Sequence, residues 1–144
     1  MNYMIHVLGI LLAVIFAILG LFHLYWAAGG RVSSVTVIPT VGGKDLFNPS
    51  AFMTVLVAAA LFAAMLVVLG RLKIWGAFVP SWIFYSGTWV ISLLFLLRAV
   101  GDFRYVGFFK SVSDTDFARW DRILFSPFCL FIAANAFLIS CYEA

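Results

Sequence analysis

The chain has 144 residues, 65% of them apolar, 18% aromatic and only 10% charged, with a net charge of +3, and its mean hydropathy is +1.13. A water-soluble domain averages roughly 45–50% apolar and about 25% charged residues, so nine bases and six acids cannot dress a soluble globule of this size. A soluble enzyme, a nucleic-acid module, a disordered tail and a disulfide-framed secreted domain are excluded; what remains is an integral membrane protein.

The first apolar run, Met4 to Trp26, has the length that crosses a bilayer, about 20 residues. Its leader Met1-Asn2-Tyr3 carries no Lys or Arg, and the stretch exceeds the ~7–15 apolar residues of a signal peptide, so a retained helix is expected. Gly9, Ala13, Ala17 and Gly20 step by four, four and three. Such a small-residue face lets membrane helices approach closely, and one more step of three reaches His23. The connection 27–50 carries Gly29-Gly30, Pro39, Gly42-Gly43 and Pro49, all turn signals. Within it Val35-Thr36-Val37-Ile38 is β-prone, but a short isolated strand is marginal.

The second run is Ala51 to Gly70, and Arg71-Leu72-Lys73 reads as a tight turn into the third, Ile74 to Leu97. In that third run Trp75, Phe78, Trp82, Tyr85 and Trp89 repeat at alternating three and four, an aromatic seam. It could wall a flat apolar ligand; the commoner role of such a stripe is packing against neighbours or lipid. The connection 98–121 follows. In it Ser113 and Asp116 have the spacing of a capping box, and 117–122 forms a helical lead into the fourth run, Arg122 to Tyr142, with a kink expected near Pro127. Ser126, Cys129, Ala133, Ala136 and Ser140 make a second small-residue seam, so the first and fourth helices are expected to be the inner ones. Cys129 and Cys141 lie twelve residues apart, roughly 18 Å along a helix, too far for a disulfide.

Backbone groups in lipid must be satisfied within the segment, so runs of this length without strict alternation are helices. The expected fold is all-α: one transmembrane domain over 1–144, a bundle of four spans at about 4–26, 51–70, 74–97 and 122–142, with two long loops on the same side. Seven basic residues (Arg31, Lys44, Arg98, Arg104, Lys110, Arg119, Arg122) accompany the long loops and two, Arg71 and Lys73, the short turn. That excess places the long loops in the cytoplasm of an inner-membrane protein and both termini outside.

Polar groups gather on the long-loop face. If the third helix continues by a turn, Arg98 and Asp102 are i and i+4 and can pair; Arg119, Asp121 and Arg122 arrive at the same level. His23 could carry a proton, since its ordinary pKa is about 6.5, although a lone histidine on a helix more often bonds a nearby carbonyl. No metal-ligand spacing, phosphate-binding glycine loop or nucleophile elbow is present, so neither metal nor cofactor is expected.

The stretches His23-Leu24-Tyr25-Trp26-Ala27-x-Gly29-Gly30, Gly101-Asp102-Phe103-Arg104-Tyr105-Val106-Gly107-Phe108-Phe109-Lys110, Phe117-Ala118-Arg119-x-Asp121 and Ser126-Pro127 resemble a family of short bacterial integral membrane proteins catalogued as a domain of unknown function. The resemblance covers nearly the whole chain, is most specific at Gly-Asp-Phe-Arg-Tyr-x-Gly, and implies a four-helix membrane protein without implying an activity.

The leading functional expectation is a non-enzymatic protein that binds a lipid or quinone-like molecule, or serves as a subunit of a membrane complex or homo-oligomer. Arg98, Arg104, Tyr105, Trp26, Trp82, Tyr85 and Trp89 are its candidate ligand-binding residues. The bilayer is the expected partner; nucleic acid is not. The alternative is a small enzyme acting on a lipid or isoprenoid, with His23 or Asp102 as acid or base and Arg98 and Arg104 holding an anionic group.

Overall fold

The computed structural model describes residues 3–30, 38–41, 44–45 and 49–142. Four helices dominate: α1 (Tyr3–Ala27), α2 (Ala51–Arg71), α3 (Ser81–Val100) and α4 (Asp116–Cys141), each long and apolar enough to cross a membrane. Thr40–Val41 and Lys44–Asp45 form a minimal antiparallel pairing. Val35-Thr36-Val37 and Arg31 lie outside the described residues.

The third helix starts later than the hydrophobic run suggests, at Ser81 and not Ile74. Lys73 (φ 60°) and Gly76 (φ 78°) turn the chain left-handed, and Val79 N–H closes on the Gly76 carbonyl at 2.8 Å. Pro80 then disfavours helix before it and leads into α3. Trp75 and Phe78 therefore belong to the turn 72–80, and the aromatic seam is shorter than its sequence spacing implies.

The fourth helix starts earlier, at Asp116. Its cap is Thr115, whose hydroxyl accepts from Ala118 N–H at 3.1 Å; Ser113 instead faces the Asp114 carboxylate at 3.4 Å. The helix start expected at Ser113 is thus displaced by two residues, to a single cap with Ala118 where a capping box would have an acid, and Asp116 sits in the first turn, where its charge complements the helix dipole. Residues Asp121–Phe125 form a π-helical turn, closed by Ser126 N–H on the Asp121 carbonyl. Pro127, which lacks an N–H and crowds the carbonyl four residues back, follows immediately. Where the sequence predicts a kink near Pro127, the structure has a widened turn just before it.

The small face of α1 packs on α2. A Cβ on Gly9 would stand 2.6 Å from a Leu72 methyl, and one on Gly20 2.9 Å from the Phe62 ring. The seam of α4 faces α3 instead, where Ser92 Oγ donates to the Ala133 carbonyl at 3.0 Å. Leu12, Phe16, Val68, Leu72, Ile91, Ile132 and Ile139 form the shared core. Helices α1 and α4 are the most enclosed, with 33% and 44% of their apolar windows buried against 17% and 28% for α2 and α3, as their seams predict. Cys129 is half-buried, Cys141 is exposed and neither is in a disulfide. Arg71 Nη2 donates to the Tyr142 carbonyl at 2.5 Å, which joins the ends of α2 and α4 on the short-turn side. The loops after α1 and α3 emerge at the other end.

Candidate functional site at the long-loop end

Helix α3 is stopped by Gly101, at φ 88°. The chain then makes a closed loop: Asp102 N–H donates to the Val106 carbonyl at 3.2 Å and Phe108 N–H to the Ala99 carbonyl at 2.9 Å. Gly101 and Gly107 (φ 92°) sit where this loop closes on itself. A Cβ on Gly101 would meet the Val106 carbonyl, and one on Gly107 the Val100 carbonyl. Main chain cannot give way as a flexible side chain can, so both positions need glycine.

Asp102 knots the loop. Its Oδ1 accepts from the N–H groups of Arg104 (2.9 Å), Tyr105 (2.7 Å) and Val106 (2.9 Å). Burial pushes its carboxyl pKa up, but the three N–H donors outweigh that and hold it below the ordinary carboxylate value. Asp102 therefore pairs with neither Arg98 nor Arg104 through their side chains. The i, i+4 pairing expected with Arg98 fails because Gly101 ends the helix before Asp102.

The partner of Arg98 is Asp121. Arg98 Nη2 donates to Asp121 Oδ1 at 2.9 Å; Lys110 Nζ donates to Oδ2 at 2.9 Å, and Gly107 N–H to the same oxygen at 2.8 Å. Lys110 also donates to the Gly107 carbonyl at 3.0 Å. The Asp121 and Lys110 side chains are wholly buried, whereas that of Arg98 is 35% exposed. One carboxylate thus joins the end of α3, the loop and the first turns of α4. Burying charge is tolerable only with close partners and satisfied lone pairs, and here Asp121 has three donors. The trio keeps a net charge of +1. Arg98 Nη1 and Ser126 Oγ are buried with no hydrogen-bond partner among the described residues.

The sequence pattern sets Asp121 at the level of this cluster without marking it as the hub, and it gives no sign that Lys110 joins it. At ~100° per residue, Asp121 lies about 140° around a regular helix from Ser126 and off the seam. The π-turn, with bonds from i to i+5, brings residues five apart nearly into line. The one trace of it in the sequence is Pro127, six residues after Asp121.

The remaining candidates divide between places. His23 Nδ1 is 2.8 Å from the Leu19 carbonyl on its own helix, and its ring packs 5.0 Å from Trp26. His23 and Asp102 are thus each bonded to their own segment. Arg104 is exposed, with its guanidinium 5.1 Å over the half-buried Tyr105 ring. Trp82 and Tyr85 are 65% and 47% exposed; Arg71 lies 5.4 Å over the Tyr85 ring. Trp89 stands edge-on to Phe137 at 5.5 Å. Trp82 begins α3 and Arg98 ends it, sixteen residues or roughly 24 Å apart, so the aromatic face and the charged cluster do not form one pocket. A cleft of about 370 Å³ at the short turn, lined by Lys73, Trp75, Ser81 and Phe84 among others, lies at the opposite end. Among the described residues no group of three His, Cys, Asp or Glu could hold a metal.

Residues 16–136 match the family described as "Protein of unknown function (DUF3995)". The match spans most of the chain, and the chain belongs to that family. No curated protein and no solved structure matches it.

Proposed function

We propose that this member of the family binds an amphipathic, lipid-like molecule with an anionic head at the long-loop end of its bundle, in the inner membrane of the cell. The observation that carries this is the divided guanidinium of Arg98: Nη2 is committed to Asp121, while Nη1 is buried without a partner among the described residues. A buried donor left unmade costs roughly 1–3 kcal/mol. An anionic oxygen would satisfy it and offset the cluster's surplus positive charge. The position suits a membrane molecule, since Arg98 lies in the last turn of a spanning helix, where headgroups are found. The seven-to-two basic excess supports a cytoplasmic position for this end, with both termini outside. The enzyme alternative draws no support from His23 or Asp102, whose contacts are with their own backbone.

Arg98→Lys tests this reading, because a lysine keeps an ion pair to Asp121 but has no second planar nitrogen. Native mass spectrometry of mildly extracted wild-type protein is expected to show a retained adduct of lipid mass, lost in Arg98→Lys and kept in Arg119→Gln. A wild type without an adduct, or an adduct retained in full by Arg98→Lys, overturns it.

A further inference from the structure

We infer that loop 101–112 is a preformed tip seated in the headgroup layer of the surrounding membrane, with Phe103 and Phe109 at the acyl boundary and Arg104 on the phosphate of an anionic lipid. Its contact residues, Phe103, Arg104 and Phe109, are none of those that hold Asp121, although the loop joins that cluster through Gly107 and Lys110; the inference does not depend on a ligand at Arg98. It starts from a conformational oddity. Phe103 is held at φ 62°, a region that a bulky residue rarely enters, and such positions persist only where the surroundings enforce them. Here the enforcement is visible: Asp102 binds the next amides, Gly101 and Gly107 close the base, and Ser111 Oγ donates to the Phe103 carbonyl at 2.8 Å.

Burial inside the protein does not reward this arrangement. Phe103 and Phe109 are 62% and 64% exposed, with their rings 6.3 Å apart. The fold therefore fixes an apolar ring pair on its outside, just beyond the end of a spanning helix, at the depth where exposed Phe side chains enter the headgroup/acyl boundary. Charge indicates the same occupant. Arg104 is exposed, and its guanidinium has no ion pair among the described residues. Asp102, the acid nearest in sequence, has its Oδ1 occupied by three amides. A cation on an aromatic platform beside two apolar rings matches a phosphate above an acyl chain, and the membrane supplies both at this position.

The test is a depth measurement. A nitroxide is attached at Phe103→Cys in a Cys129→Ala, Cys141→Ala background, in nanodiscs containing phosphatidylglycerol, with Asp114→Cys as the reference. The oxygen-to-nickel accessibility ratio is expected to be several-fold higher at 103 than at 114; an equal, water-like ratio overturns insertion and leaves a soluble partner as the occupant. The label replaces an exposed ring, and a monodisperse elution profile confirms that the fold is kept. In a second arm, in the Arg98→Lys background so that the site proposed there does not contribute, Arg104→Gln is expected to weaken phosphatidylglycerol binding to delipidated protein about fivefold, the effect of one basic residue at a membrane surface. Unchanged affinity overturns the phosphate contact. Arg98→Lys is expected to leave the nitroxide depth as it was, which separates this result from that of the Arg98 site.

Discussion

Asp121 and Lys110 meet at 2.9 Å with neither side chain exposed. They join α4 to a loop eleven residues earlier, and the same carboxylate takes Arg98 from the end of α3. A membrane protein with six acids has committed one of them to holding three segments together. Breaking a buried pair from one side leaves the other charge uncompensated, at about 3–5 kcal/mol. Asp121→Asn is therefore expected to lower the melting temperature in detergent far more than Asp114→Asn, which alters an exposed loop group. Adding Lys110→Met to Asp121→Asn is expected to recover part of the loss. Equal melting of the two single variants would show that the buried trio contributes nothing to stability.

The glycines at the base of the loop make a sharper test, because two effects can be separated. Any L-residue at positive φ carries roughly 1–2 kcal/mol of strain. Gly29, at φ 91°, would meet nothing with an added Cβ, whereas Gly107, at φ 92°, would strike the Val100 carbonyl. Gly29→Ala is expected to show the backbone strain alone, and Gly107→Ala strain plus displacement of the loop from Asp121. Amide exchange over 101–110 should accelerate only in the second variant. If both variants exchange alike, the close backbone approach is not needed.

How much of this was legible in the sequence differs by element. Four spans follow from run length alone, because a bilayer fixes how many apolar residues a helix must have. The enclosure of α1 and α4 follows from their small-residue steps. Helix bounds were less legible: hydropathy cannot see that Lys73, Gly76 and Pro80 reverse the chain inside an apolar run, so Trp75 and Phe78 look helical and are not. The charged residues could be located at one end but not paired. Arg98 and Asp102 have helical spacing, yet Gly101 breaks the helix between them, and the π-turn that aligns Asp121 is invisible to a 3.6-residue period.

Packing of α1 on α2 can be probed at Gly20, where an added Cβ would meet the Phe62 ring at 2.9 Å. Gly20→Leu must displace that ring, and overpacking of this kind costs typically 1–3 kcal/mol. Leu21, the next residue, is 59% exposed, so Leu21→Phe is expected to melt like wild type. Reversed outcomes for the two variants would rotate α1 relative to α2.

Acid response comes from Asp102. Its folded-state pKa lies below the ordinary carboxylate value, because three loop N–H groups outweigh the effect of burial. A depressed folded pKa means that the ionised form is favoured by folding. Its contribution is therefore present above the unfolded value, about 3.9, and is lost as pH falls through the lower folded value. Exposure and solvent screening keep the effect small and local to the loop. Amide protection of Arg104, Tyr105 and Val106, whose N–H groups hold this carboxylate, should decline, after correction for intrinsic exchange, once pH drops below about 4. The core amides of α1 and α4 should not follow. In Asp102→Asn the three loop amides should exchange faster at neutral pH and show no further decline in acid. A loop that loses protection equally with and without the carboxylate would remove Asp102 as its organising charge and leave the glycine pair as what closes it.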